Sequence, residues 1–337
     1  MSDKPIIELI RTVAWGDVLM TTATFGGLAE QGYAIRYVTT DSLSTLLAHN
    51  PLVDELVVVP PSRTGNWFRS WHLLQQVASA TRGMQRPARR ILFKNSPSHT
   101  LLRSGLNLIK PGWGNTTPVM GHHLRHVCAQ AAVPYSDELM LAFTDEELAW
   151  GQQFSDSVLL HMFSSNPAKD WPMARWQALA HYIEDRHGLS VFQVGKPWHE
   201  AADVIPCINN PSMRHAMAAV AQCRLFVGID SVFNHVCRAV NRPAVILFGA
   251  THPGQYGYGQ NLNLWQGGQW SFAKGRLEAA GLPLSDDIPA AWGQPGFMVQ
   301  SGTHSAMAAN TLQLVAAATN AALATPVGGD LRQAALA

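Results

Sequence analysis

Residues 225–235 read Leu225-Phe226-Val227-Gly228-Ile229-Asp230-Ser231-Val232-Phe233-Asn234-His235. An uncharged apolar run of strand length, Leu225–Ile229, passes through an Asp-Ser pair into a helical stretch, Phe233–Val240. A continuous apolar strand is the mark of a parallel sheet buried on both faces, and Asp and Ser are the residue types that cap a helix. Working outward, Met213–Gln222 has helical spacing and Ala244–Phe248 reads as the next strand. Upstream lie a strand Val158–Phe163, a helix Ala174–His187 closed by Gly188, and a strand Ser190–Val194 closed by Gly195. This alternation predicts a doubly wound α/β unit.

The same rhythm runs through the amino-terminal half. Ile6–Val13, Ile35–Thr39, Glu55–Val59 and Arg90–Lys94 read as strands. Between them lie helical stretches at Val18–Glu30, Ser42–His49 and Trp67–Thr81, the first ended by Gly32 and the second by Asn50-Pro51. A charged stretch, Thr144–Gln153, separates the halves. The expected organisation is therefore two Rossmann-like domains facing a central cleft, residues 1–152 and residues 153–325. After Gly249 the pattern decays; residues 253–302 are rich in Gly, Pro, Gln and Trp and predict loops with short elements. Met307–Leu323 is Ala-rich and predicts a helix, and residues 326–337 a frayed tail.

Composition narrows the function. The 337 residues carry 24 Lys+Arg against 23 Asp+Glu, a net charge of +1, which excludes a protein that coats polyanions by net charge. Only 14% of residues are charged and 47% are hydrophobic, which excludes a disordered chain and predicts a surface that meets a partner, a membrane rim or another copy. Cys128, Cys207, Cys223 and Cys237 form no C-x-x-C pair, so the expectation is buried thiols in a reducing compartment. The apolar residues Ile6, Ile7, Leu9 and Ile10 are broken by Glu8 and fall short of a signal peptide. No clean run of transmembrane length occurs, which predicts a cytoplasmic protein.

In open α/β sheets ligands bind beyond the carboxyl ends of the strands, so the loops after strands are where chemistry is sought. Three of them stand out. Gly16-Asp17 follows the first strand, Gly16 allowing a sharp turn and Asp17 starting a helix; the carboxylate either complements the helix dipole or serves as a general base. Ser164-Ser165-Asn166-Pro167-Ala168-Lys169-Asp170-Trp171-Pro172 joins a strand to a helix, and its hydroxyls, free amides and lysine suit an anion, without Walker A spacing. Asp230-Ser231-Val232-Phe233-Asn234-His235 opens a helix whose first amides can hold a diphosphate. An aspartate beside phosphate is repelled, so Asp230 is expected to bond a sugar hydroxyl or a backbone amide. His235 lies one turn beyond Ser231, as a packed residue or as a ligand.

Taken together, these stretches resemble glycosyltransferase family 9, the bacterial heptosyltransferase family of lipopolysaccharide core assembly. The resemblance rests on Ala14-Trp15-Gly16-Asp17-Val18-Leu19-Met20-Thr21-Thr22, Asn50-Pro51-Leu52-Val53-Asp54-Glu55, Ser165 to Trp176, Asp230 to His235, and Arg242-Pro243 to Phe248-Gly249-Ala250-Thr251-His252-Pro253, in family order. It implies a GT-B fold and a metal-independent, inverting transfer of a heptose-like sugar from a nucleotide diphosphate donor, ADP-linked, to a hydroxyl of an anionic glycan or glycolipid. Asp17 would be the base and Lys169 the residue stabilising the leaving diphosphate. Ser164, Ser165, Lys169, Asp230, Ser231, Val232, Phe233, Asn234 and His235 would bind the donor. Val232 stands where the family carries glycine. Arg63, Trp67 and Arg69, after the third strand, would meet a phosphorylated acceptor, with Trp71 nearby. Arg82, Arg86, Arg89, Arg90 and Lys94 form a second basic group, either solvated surface or a further anion contact. No cofactor or metal is expected, and peripheral contact with the inner membrane face accompanies a lipid-linked acceptor.

Other constellations are weaker. His122, His123 and His126 offer a helical face for zinc but need a further ligand. There is no G-x-S-x-G elbow, no G-x-G-x-x-G after the first strand and no basic stripe with interleaved aromatics, so a hydrolase, an NAD dehydrogenase and a nucleic-acid binder are not expected. Two alternatives stay open: a GT-B enzyme with another sugar and a protein, capsule or small-molecule acceptor, and a non-catalytic nucleotide-sugar-binding subunit.

Overall fold

The computed structural model describes residues 4–61, 67–93, 122–164, 166–195, 204–209, 212–249, 251, 253–265, 307 and 310–324. It divides into two compact units, one of Met1–Val119 with Leu124–Phe143 and the other of Met120–His123 with Thr144–Ala337. The expected division at 152/153 falls later than this one. The reason is the helix Asp145–Gly151, which starts on a Thr144/Glu147 capping box and packs on the Met213–Gln222 helix of the second unit. Glu147 also pairs with Arg214, and a Cβ on Gly151 would sit 2.6 Å from Ala218 O.

The first unit is built on a four-stranded parallel sheet of β1 (Ile6–Ile10), β2 (Ala34–Thr40), β3 (Glu55–Val59) and β4 (Arg89–Leu92), in the order β3-β2-β1-β4. The chain winds from β1 outward to β3 and then returns to the other side of β1, so the topological switch point lies between β1 and β4. Helix Trp67–Ala80 covers one face, its Leu73 and Val77 meeting Ile10, Val38, Val57 and Val59. A row of charges crosses this buried sheet in register: Glu55 opposite Arg36, Arg36 opposite Glu8, Glu8 opposite Arg90. Arg36 and Glu8 are fully buried and each is ion-paired on both sides. Desolvation offsets most of the attraction in such a row, but removing one member strands its partner at a cost of about 3–5 kcal/mol.

The second unit holds a five-stranded parallel sheet of β5 (Ser157–His161), β6 (Ser190–Gln193), β7 (Leu225–Ile229), β8 (Ala244–Leu247) and β9 (Leu262–Leu264), in the order β6-β5-β7-β8-β9. Its switch point lies between β5 and β7. Strands β5, β7 and β8 are buried along their whole length, as a sheet covered on both faces requires. Helix Met173–His187 supplies Trp176, Leu179, Ala180 and Ile183 to the core and ends on Gly188, in the left-handed conformation. Two pieces of the region past Gly249 complete this unit. β9, one of the short elements expected there, extends the sheet, and helix Leu312–Ala324 packs Val315, Ala322 and Leu323 into the same core.

Cys128, Cys223 and Cys237 are buried and Cys207 is partly so; all four are free thiols, and burial pushes the Cys223 thiol up to about 12. Among the described residues no helix is long and apolar enough to cross a membrane.

Candidate functional site at the two switch points

The loop after β1 carries Asp17. Ala14, not Gly16, makes the turn: its φ is 61°, unusual for a residue with a side chain, while Gly16 lies within the helix Trp15–Thr21. Strain of this kind costs on the order of 1–3 kcal/mol and persists where surrounding structure fixes it. Asp17 sits in the first helical turn, 21% exposed, and pairs with the Arg11 guanidinium, which is 4% exposed. Arg11 follows the end of β1, and it also donates to Val13 O at 3.1 Å and to Phe93 O, just after β4, at 3.1 Å. A buried cation spanning β1 and β4 thus holds the carboxylate at the switch point of the first sheet. Beneath it, Thr21 Oγ1 and Tyr37 Oη are 2.7 Å apart, and burial raises the Tyr37 hydroxyl far above its ordinary value, so it stays neutral.

The loop after β5 carries Lys169. Ser164 Oγ donates to Asn166 O and accepts from Asn166 N, both at 3.1 Å. A 3-10 turn, Pro167–Lys169, follows, and Trp171, 1% exposed, anchors the loop by donating to Asn310 O at 2.8 Å. Lys169 Nζ then donates to Asp230 Oδ2 at 2.7 Å and to Asp230 O at 3.2 Å. Asp230 lies after β7, so this pair spans the switch point of the second sheet. Burial by itself would raise the Asp230 carboxyl. Lys169, the hydrogen bonds from Lys169 and Thr251, and the nearby His235 more than offset that and hold it below the ordinary carboxylate value.

The helix Val232–Ala239 opens on Ser231, whose Oγ accepts from Phe233 N at 3.3 Å. That amide is therefore committed to the cap, whereas the sequence reading assigns it to the donor. Val232 starts the helix without a positive φ, so the position requires no glycine for its backbone. Asn234 is fully buried and spends its amide on Tyr256 O, at 2.7 Å, and on Asn261 Nδ2, at 3.1 Å. It ties the helix to the segment beyond it. His235 is 5% exposed, with Nδ1 2.6 Å from Tyr258 Oη. Phe233 is buried with its ring against His161.

His161, at the end of β5, carries no role in the sequence reading. Its Nδ1 lies 2.9 Å from Val194 O, and burial lowers it to about 4, so it is neutral. Gly195, with φ 99°, makes room for it, since a Cβ there would meet Nδ1 at 2.7 Å. Arg11 is also absent from that reading, and Thr251 appears there only within the stretch Arg242 to Pro253, without a role of its own. The signal for Arg11 was a charge directly after an apolar strand; for Thr251 it was a post-strand position inside a stretch that resembles the family.

Ser165, Arg63 and Lys94 lie outside the described residues, as do the side chains of Trp67, Arg69 and Trp71. In the second basic group, Arg89 donates to Ala131 O and Gln130 O and Arg90 pairs with Glu8, so these two serve the first unit's own structure. His122 and His123 make tilted ring contacts with Tyr258 and Tyr256, and among the described residues no cluster of His, Cys, Asp and Glu suits a metal ion. A pocket of about 220 Å³ opens at the amino-terminal ends of β1, β2 and β3, lined by Lys4, Arg36, Asp54, Glu55 and Gln85 among others. Arg36, Asp54 and Glu55 are already bonded to neighbouring groups there.

Residues 137–271, which contain the Lys169 and Asp230 loops, match the family model of Glycosyltransferase family 9 (heptosyltransferase). Over these residues the chain is similar to glycosyltransferase family 9. It is 28% identical over 118 residues to lipopolysaccharide heptosyltransferase 1 of Salmonella typhimurium, an alignment covering 31% of this chain and 36% of that protein. The chain thus matches about a third of the length of this curated family member. Among solved structures, it is similar to a glycosyl transferase family 9 protein from Veillonella parvula, with a TM-score of 0.64 and 20% identity over 96% of this chain and 97% of that one. It is likewise similar to the ADP-heptose LPS heptosyltransferase II of E. coli, with a TM-score of 0.62 and 17% identity over 95% of this chain and 98% of that one. The fold shared with these structures is of the GT-B type, with a parallel, Rossmann-like sheet in each unit.

Proposed function

We propose that this protein is a metal-independent, inverting glycosyltransferase that moves a heptose-like sugar from an ADP-linked donor to a hydroxyl of an anionic glycan such as lipopolysaccharide core. The observation that carries the reading is the Lys169–Asp230 pair at the β5/β7 switch point, inside the segment that matches the family. An ammonium has three donors, and two of those on Lys169 go to Asp230; among the described residues the third is uncommitted. In the proposal it meets the donor diphosphate. Both side-chain bonds to Asp230 fall on Oδ2, and Oδ1 takes a sugar hydroxyl. Ser164, Ser165, Ser231 and the backbone of Val232 border the diphosphate, while His235 supports the pocket from within.

In the reaction, Asp17 removes the proton of the acceptor hydroxyl as its oxygen attacks the anomeric carbon. The bond to the nucleoside diphosphate breaks on the opposite face, inverting the centre. Lys169 stabilises the charge that develops on the departing phosphate, an effect worth about 3 kcal/mol or a hundredfold in rate. Arg63, Trp67 and Arg69 are proposed to face the anionic acceptor, and a lipid-linked acceptor places the protein at the inner membrane face.

A thermal-shift panel of ADP-, UDP-, GDP- and dTDP-sugars tests the donor, because a ligand that binds the folded state raises its midpoint. ADP-heptose is expected to give the largest rise. A rise with another nucleotide alone reassigns the donor, and no rise with any of them removes the reading.

A further inference from the structure

Thr251 lies in the loop after β8 and is 2% exposed. Its hydroxyl donates to Asp230 Oδ2 at 2.6 Å, the oxygen that also takes Lys169 Nζ at 2.7 Å. The three residues come from loops after β5, β7 and β8, which are neighbours in the sheet. A carboxylate held by one flexible lysine is free to turn with it; a second donor from a separate strand end fixes the plane of the carboxylate. Fixing Asp230 also fixes the lysine. Lys169 Nζ bonds both Oδ2 and the backbone oxygen of Asp230, and these two contacts set the direction of its remaining N–H.

We propose that Thr251 is a positioning residue: it pins the Asp230 carboxylate and, through it, aims the Lys169 ammonium at the site of the donor phosphate. Lys has a long, mobile stem and a compact charge, so its usefulness in an anion site depends on what orients it. Thr251 supplies that orientation without adding charge, which leaves the ammonium its attraction for phosphate. The consequence for turnover rests on the glycosyltransferase reading; the consequence for Lys169 does not.

The test compares Thr251→Val, which keeps the shape and removes the hydroxyl, with Thr251→Ser, which keeps the hydroxyl. In nucleotide-free protein, acetylation of Lys169 by acetic anhydride is followed by peptide mass spectrometry, and ADP affinity is measured by calorimetry. Loss of a hydrogen bond to a charged group predicts about a tenfold faster acetylation and about a tenfold higher Kd for ADP in the Val variant. The Ser variant is expected to stay within about twofold of the parent on both. If the Val variant does not fold, Thr251→Ala removes the same hydroxyl and decides the matter. Parent-like acetylation of Lys169 in a folded variant without the hydroxyl overturns the proposal. Faster acetylation in a protein that binds no ADP even as the parent sustains the positioning role and overturns the donor reading instead.

Discussion

The two switch points are built on one plan with the signs reversed. In the first unit the exposed member is an anion, Asp17 at 21%, and the buried member is a cation, Arg11 at 4%. In the second the exposed member is a cation, Lys169 at 18%, and the buried member is an anion, Asp230 at 5%. Each sheet presents the charge its proposed step requires and buries the counter-charge behind it. A general base must be negative before it takes a proton, and a phosphate ligand must be positive; neither tolerates a site where its own sign is unpaired in low dielectric. The buried partner resolves that conflict and also spans the strands on either side of the switch point.

This division predicts different failures for the exposed and buried members. The largest effect is expected from Asp17→Asn, which removes the base and should lower turnover by about a thousandfold while leaving the protein folded. Steady-state kinetics with donor and acceptor in excess check it. Next is Lys169→Met, expected to lower kcat about a hundredfold and to raise the donor KM, measured with varied donor. Then come the buried partners. Arg11→Gln leaves Asp17 without its cation, and Phe93 O and Val13 O lose a donor; a loss of about 3 kcal/mol in chemical denaturation is expected, with donor affinity retained. An Arg11 variant as stable as the parent would break the comparison.

The smallest effect concerns pH. His161 falls from the usual 6.5 to about 4 because burial disfavours its charged form. The unfolded chain therefore takes up a proton in this range that the folded chain does not. Stability is full above pH 6.5 and declines as pH falls toward 4, by at most about 1.4 kcal/mol per pH unit. His161→Asn is expected to flatten that decline in denaturation curves run between these pH values. The Asp230 carboxyl, held low, keeps its stabilising contribution at neutral pH and loses it only as pH falls through its depressed value.

Much of this was legible in the residues, and the exceptions have physical causes. The strand–helix alternation and the post-strand positions of Asp17, Lys169 and Asp230 follow from periodicity and turn chemistry, which are local. β9 was legible only as an unplaced short element because a three-residue strand among Gly and Asn carries no period; it forms by adding to an edge already set by β8. The partners Arg11, Thr251 and His161 were not legible because each acts through space on another strand's loop. The charge row Glu55–Arg36–Glu8–Arg90 has the same cause: each charge alone interrupts an apolar run, and only register brings them opposite one another. Asn234 and Phe233 sit in the segment that opens the helix after β7, where packing and capping take up their polar groups.

The claim that the two switch points divide the labour is tested most directly by titrating ADP into the parent, Asp17→Asn and Lys169→Met proteins by calorimetry. The account predicts that Asp17→Asn binds ADP as the parent does and that Lys169→Met loses at least about tenfold in affinity. Equal binding by the parent and the Lys169 variant, or loss of binding in the Asp17 variant alone, would contradict it.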